Sequence, residues 1–186
     1  LQKPTSGRLF FLGEEAWRNG FDPVAGRRRT AMVMQSPYLF GETIGRNVAY
    51  GLRRRGVAGS EADRRVRESL ALVRMEGMAD RPADGISGGE AKRVALARAL
   101  VLDADVLLLD ECTTNLDSAT IAVIESVIGE MRKRREKTVL LTTHDEPFAV
   151  KAADEVIRLE AGRLVAGGIV NIFRGSVERE GERSIF

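Results

Sequence analysis

Apolar and polar positions follow two rhythms along this chain, and the change from one to the other divides it. Residues 8–12 (Arg-Leu-Phe-Phe-Leu) and 31–35 (Ala-Met-Val-Met-Gln) predict short strands, joined by a polar stretch rich in Gly and Arg. Residues 41–59 mix Gly and Arg with brief apolar pieces and predict irregular or weakly helical chain. From Glu61 to Met75, Val66, Leu70 and Val73 fall on one face of an amphipathic helix. A second helix, Ser87 to Leu102, is apolar on more than one side and is expected to be well buried. Strand 105–109, helix 118–134, strand 138–142, helix 146–153 and strand 155–159 then alternate. That order predicts a parallel sheet covered by helices, an α/β fold. Ala161-Gly162-Arg163 is a turn signal, 163–166 the return strand of a hairpin, and the remaining residues are weakly patterned.

Within this pattern, Val106-Leu107-Leu108-Leu109 runs directly into Asp110-Glu111. So apolar a run predicts a strand buried on both faces. Its end places two carboxylates at the carboxyl edge of a sheet, where open α/β proteins bind ligands. Buried unpaired acids are costly, so a cation is expected beside them; the plainer alternative is a strand ending in solvated acids. His144, the single histidine, follows the second apolar strand, and Gln35 ends a third. Gln35, Asp110, Glu111 and His144 therefore finish three strands, and one shared ligand is the economical explanation. Ser87-Gly88-Gly89-Glu90 opens the buried helix with the residues of a capping box. The cap accounts for Ser and Glu but not for two adjacent glycines, each costing about 1 kcal/mol of helix propensity relative to Ala. Close approach of an anion to the exposed amides of a helix N-terminus would account for them.

Composition narrows the classes. At 186 residues, 44% hydrophobic and 30% charged, the chain suits one folded domain with a substantial core. No apolar run reaches the roughly 18 residues of a membrane helix. Residues 1–20 contain acids and lack the continuous apolar stretch of a signal peptide. A lone Cys112 excludes an internal disulfide and fits a reducing compartment. The basic clusters Arg27-Arg28-Arg29, Arg53-Arg54-Arg55 and Arg132-Lys133-Arg134-Arg135 lack interleaved aromatics, and the formal net charge is only +2. They read as solvated surface, and no nucleic acid partner is expected.

Taken in order, Gln35, Ser87-Gly88-Gly89-Glu90, Val106–Glu111, Asn115-Leu116-Asp117 and His144 resemble the nucleotide-binding subunit of an ATP-binding cassette (ABC) transporter. The segment Ile86 to Arg98 is similar to the family signature, and the likeness runs from Leu1 to about Phe173. The resemblance implies a P-loop NTPase cassette: a mostly parallel sheet with helices, an antiparallel β part, and an α-helical subdomain over about 41–100. It makes residues 1–173 a partial ATP-binding domain and 174–186 a tail or the start of a carboxy-terminal extension. ATP and Mg²⁺ are the implied ligands. Asp110 would hold Mg²⁺ through water, Gln35 would sense it, and Glu111 would be the general base toward the attacking water. His144 would contact the γ-phosphate. Ser87, Gly88 and Gly89, with Glu90 beside them, would grip the γ-phosphate of ATP held by a second copy, and Asp117 would carry communication across that interface.

The sequence also departs from the family. A P-loop needs Gly-x-x-x-x-Gly-Lys-Ser/Thr, and no Gly-Lys dipeptide occurs in this chain. Leu1–Gly7 resembles the segment just after the P-loop helix, and the first residue is not Met. An amino-terminal truncation that removes the P-loop strand and helix is therefore expected, and with it exposed apolar sheet surface. Cys112 stands where the family has Pro or Ala, and is expected to pack, though a thiol there is open to oxidation. Thr114-Asn115 replaces the commoner Ser-Ala and carries no reading. The implied role is the ATPase subunit of an importer at the cytoplasmic face of the membrane. Its partners would be a second ATP-binding subunit, transmembrane permease subunits meeting Tyr38, Leu39 and Phe40, and indirectly a solute-binding protein. Residues 39–40, 47–52 and 171–175 resemble importers of small oxyanions such as tungstate or molybdate, with phosphate or amino-acid uptake as the alternative cargoes. The alternatives are a soluble ABC ATPase outside transport and a catalytically incompetent fragment.

Overall fold

A computed structural model describes residues 3, 5–18, 20–133, 137–171, 178–180 and 183–185. The chain forms two compact units, Leu1–Thr143 and His144–Phe186. The first opens with a small hairpin, β1 (Phe10–Phe11) and β2 (Glu14–Glu15). Its two-residue turn sets both Leu12 (φ 51) and Gly13 (φ 84) left-handed, as the twist of a tight hairpin demands. The polar stretch after it holds a helix the hydrophobic pattern did not predict, α1 (Pro23–Arg28). Asp22 caps it by accepting from the Val24 amide at 2.8 Å, and Pro23 occupies the first turn, where no amide partner is needed.

Strand β3 (Thr30–Val33) leads into helices α2 (Ile44–Arg54), α3 (Gly59–Leu72) and α4 (Gly88–Leu100). Of the two readings of 41–59, irregular or weakly helical, α2 supports the helical one and makes it regular over Ile44–Arg54. Ile44, Val48 and Leu52 recur every fourth residue and are buried, giving a true apolar stripe beneath a Gly- and Arg-rich composition. Two of its glycines serve packing. A β-carbon on Gly51 would lie 2.7 Å from Leu102 Cδ2, and one on Gly45 would lie 3.0 Å from the Ala79 carbonyl oxygen. α2, α3 and α4 pack on one another. In α4, buried residues (Lys92, Val94 to Ala97, Ala99) surround the axis, as its pattern predicted.

Strand β4 (Val106–Asp110), helix α5 (Ser118–Lys133) and strand β5 (Thr138–Thr142) complete this unit. The sheet order is β3-β4-β5 and both pairings are parallel, with Leu107 opposite Ala31 on one side and Val139 on the other. One face is buried: Ala31, Val33, Leu107 and Leu109. The other is not, for Met32 is 53%, Met34 59% and Leu140 59% exposed. β4 is therefore not buried on both faces as its sequence suggested. Its side chains alternate between buried and half-buried.

The second unit begins with helix α6 (Glu146–Ala152), capped by Asp145 accepting from the Phe148 amide at 3.0 Å. Strands β6 (Glu155–Glu160) and β7 (Arg163–Asn171) pair antiparallel through the Ala161-Gly162 turn, so the return strand runs past the predicted 163–166. A last hairpin joins β8 (Glu178–Glu180) and β9 (Arg183–Ile185). Residues 172–177, which hold most of the oxyanion-importer-like stretch and the start of the tail, lie outside the described residues.

Leu109→Ala empties a fully enclosed site, so it should cost about 2–5 kcal/mol in urea unfolding. Leu140→Ser, on the open face, should stay within about 0.5 kcal/mol. Equal losses would contradict the one-sided core.

Candidate functional site

Asp110 is the last residue of β4 and pairs in register with Thr142, the last of β5. The Thr142 hydroxyl donates to Asp110 Oδ1 at 2.6 Å. The next residue, Glu111, leaves the strand at φ 45, a left-handed backbone that costs a non-glycine residue about 1–2 kcal/mol. Its amide is held there by Thr142, donating to the carbonyl oxygen at 3.1 Å and to Oγ1 at 3.2 Å. Thr142 thus orients one acid through its side chain and the other through its backbone. The Glu111 carboxylate accepts in turn from the Thr114 hydroxyl at 2.8 Å. Both acids are half-buried. The sharp turn takes Glu111 out of the strand, and the two carboxylates are held by different hydroxyls, Asp110 by Thr142 and Glu111 by Thr114.

Gln35 lies two residues past the end of β3 and is exposed. Strand pairing stops at Val33, and the carbonyls of Met34 and Gln35 instead accept from the Lys92 ammonium. His144 lies two residues past the end of β5 and opens the second unit.

At the start of α4 the capping box is complete. Ser87 Oγ accepts from the Glu90 amide at 3.2 Å, and the Glu90 carboxylate accepts from the Ser87 amide at 2.9 Å. Glu90 also pairs with Arg81 at 2.9 Å, and the Ser87 amide and this guanidinium hold its carboxyl below the usual carboxylate range. Its carboxylate is taken up by these bonds. Ser87 accepts at its cap, and its own hydroxyl also supports the Glu90 carboxylate. The two glycines separate. A β-carbon on Gly89 would lie 2.8 Å from Thr120 Oγ1 and 3.1 Å from Asp117 Oδ2, so this glycine lets α4 close on the start of α5. A β-carbon on Gly88 meets nothing within 4 Å, so its glycine is not explained by internal packing. Asp117 accepts from the Thr120 amide at 2.7 Å and the Thr120 hydroxyl at 3.1 Å, and these bonds lower its pKa. It caps α5 and touches the Gly89 turn, joining two motifs that are far apart in sequence.

Cys112 is buried beside the acids, and burial pushes its thiol up to about 11 from 9.0. The packing expectation fits this burial; ready oxidation does not, because so little thiolate is present. Thr142, Thr114 and Lys92 were missed in the sequence. For Thr142 a signal existed, a hydroxyl ending an apolar strand beside the strand of acids. For Lys92 there was none, since a lysine in a helix normally points to water.

A family model described as "ABC transporter" matches residues 1–114. The chain belongs to the ABC transporter family. The chain is 41% identical over 169 residues to the Fe(3+) ions import ATP-binding protein FbpC of Escherichia coli O157:H7, covering 90% of this chain and 47% of that protein. It is 42% identical over 166 residues to the protein of the same name from Pasteurella multocida, covering 89% and 46%. This ABC chain thus spans about half the length of the curated relatives it matches. Among solved structures it resembles cbiO1 from Clostridium perfringens, part of the ABC transporter complex cbiONQ, with TM-score 0.78, 29% identity, and 89% of this chain and 67% of that one covered. It also resembles the ATP-binding cassette MJ0796 in a dimeric post-hydrolysis state bound to ADP and Pi, with TM-score 0.79, 28% identity, and coverage of 94% and 77%. The expected ABC-type α/β fold is confirmed by these neighbours and by the parallel sheet.

Two outcomes follow for the ABC cassette. Gly88→Ala should be neutral or stabilising by up to about 1 kcal/mol through helix propensity, whereas Gly89→Ala should cost about 1–2 kcal/mol through overpacking. Thermal unfolding compares them, and the reverse order would refute the division between the two glycines. Separately, the thiolate fraction of a Cys112 shifted from 9.0 to about 11 falls about 100-fold. A maleimide at pH 8 should therefore label native chain at least about 100-fold more slowly than urea-unfolded chain. Equal rates would show an accessible thiol.

Proposed function

We propose that this chain is the ATP-hydrolysing part of an ABC importer, acting at the cytoplasmic face of a membrane. The observation that carries the reading is the pair Asp110 and Glu111, their carboxylates held by the hydroxyls of Thr142 and Thr114 at the carboxyl edge of a parallel sheet. Among the described residues no helix is long and apolar enough to cross a membrane, so membrane partners would supply the passage.

The donor set suits Mg²⁺. That ion is usually held by one or two side-chain oxygens plus the substrate's phosphates rather than by a protein cage. Asp110 and Gln35 offer such oxygens, and no cluster of three His, Cys, Asp or Glu is found among the described residues. When bound, Mg²⁺ would neutralise charge on the β- and γ-phosphates. Glu111, held by Thr114, orients and deprotonates the attacking water. His144 contacts the γ-phosphate and helps place that water. The Ser87 hydroxyl and the open Gly88 amide face the γ-phosphate of ATP on a second copy, while Asp117 links that contact to its own α5. Glu90 supports this turn by capping it. Residues 1–173 make up the cassette, with 41–100 as its helical subdomain.

The partners we propose are a second copy of the chain, permease subunits, and a solute-binding protein that delivers cargo to them. A dimer is supported by the dimeric neighbour, and a permease by the neighbour that belongs to a transporter complex. An exposed aromatic group beside the Gln35 loop suits a permease helix: Tyr38 packs edge-on to Phe40 at 5.7 Å, and Phe40 lies 4.7 Å from Tyr50. For cargo, the relatives named for Fe(3+) import favour ferric ion over the tungstate or molybdate suggested by the sequence.

Without a Gly-Lys dipeptide, the 186-residue chain alone should hydrolyse MgATP at background rate. A chimaera with a P-loop segment of the family ahead of Leu1 should hydrolyse it, and Glu111→Gln there should lower kcat by about 100-fold or more. Robust hydrolysis by the chain alone, or a chimaera indifferent to Glu111→Gln, would overturn the assignment.

A further inference from the structure

The segment from Met34 to Thr43, which carries Gln35, is fastened by side chains reaching to its backbone from two helices. From α2, the fully buried Asn47 accepts from the Phe40 amide at 2.8 Å and donates to the carbonyls of Phe40 and Thr43, both at 3.0 Å. From α4, Arg98 donates to the Tyr38 carbonyl at 2.9 Å. Lys92, also of α4, donates to the Met34 carbonyl at 3.1 Å and to the Gln35 carbonyl at 2.5 Å. Lys92 is only 3% exposed, and both of its hydrogen bonds go to main-chain carbonyls rather than to a carboxylate. Burying an ammonium on such terms is costly, and a neutral donor would cost less for the same packing. Desolvation lowers the pKa of both Lys92 and Arg98, the physical sign of that cost.

Lys92 also stands one helical turn beyond Gly88, on the same side of α4. A single rigid turn therefore connects the open amide of the signature helix to the backbone carbonyl of Gln35. We propose that Lys92, assisted by Arg98, is a positioning residue that locks the Gln35 loop to the signature helix, so that the two phosphate-facing segments move as one body. The inference rests on the reading that Gln35 faces Mg²⁺ and nucleotide. It adds a cation that touches neither and sets where Gln35 stands.

The 186-residue chain tests the lock without nucleotide. At pH 7 the Lys92 ammonium should give a resolved ¹⁵N–¹H signal with couplings across hydrogen bonds to the Met34 and Gln35 carbonyl carbons. Lys92→Met should raise amide exchange at least tenfold over residues 35–40 while β4 and the interior of α4 keep their protection, and Lys92→Arg should restore most of the loop's protection. Absence of the couplings, or exchange that rises equally across β4 and α4, would reduce Lys92 to a packing residue and overturn the proposal. In the P-loop chimaera, Lys92→Met should raise the Mg²⁺ concentration for half-maximal hydrolysis several-fold, with a smaller change in kcat. An active chimaera whose Mg²⁺ requirement does not move would refute the positioning role. An inactive chimaera whose loop still loosens in Lys92→Met would instead refute the functional reading and leave the lock standing.

Discussion

Everything in the first unit depends on β4 being paired on both sides. Its parallel registers with β3 and β5 set three strand ends along one edge, and its inward residues Leu107 and Leu109 anchor the sheet to the helices. With β4 fixed, Asp110 falls opposite Thr142, and the left-handed step at Glu111 can be sustained by the threonine's two acceptor atoms. Strain of that kind survives only where neighbours over-determine it. Here the neighbour is a single residue at the end of the adjoining strand, acting through its carbonyl and its hydroxyl.

The two ends of the candidate site are built on opposite principles. At the sheet edge, charge is concentrated and held by hydroxyls, an arrangement ready to receive a cation. At the start of α4, charge is already satisfied by the cap and by Arg81, and what is offered is open backbone. Asp117 is the hinge between them in sequence and in space, six residues beyond Glu111 and against the Gly89 turn. A site divided this way needs a ligand contributed from elsewhere to complete each part, in keeping with the proposed pairing of two copies.

Much of this was legible from residues alone, because the signals were local. Continuous apolar runs located β4 and β5, helical patterning located α3, α4 and α5, and the Ser87–Glu90 spacing announced a cap that the structure contains. What escaped depended on partners distant in sequence. α2 was only weakly legible in a Gly- and Arg-rich segment, because the packing of Gly45 on Ala79 and of Gly51 on Leu102 joins residues distant in sequence. The second glycine of the signature gave no hint that a β-carbon there would meet Thr120 and Asp117. β4 read as buried on both faces because an apolar run reveals nothing about which face is covered. Lys92 was silent because its carbonyl partners lie 57 and 58 residues away.

The strand order also governs when this architecture can come into being. β3 is made early, but its only partner among the described residues is β4, on the far side of α2, α3 and α4. Those helices can find one another through nearby contacts, whereas the sheet must await a late segment of chain, and pairings so remote are slow to form. During synthesis on a ribosome, Ala31 and Val33, buried in the finished fold, would therefore be presented to the solvent long before β4 emerges. The growing chain would spend that interval as a helical cluster trailing a sticky, unpaired strand, the kind of intermediate that chaperones exist to shield.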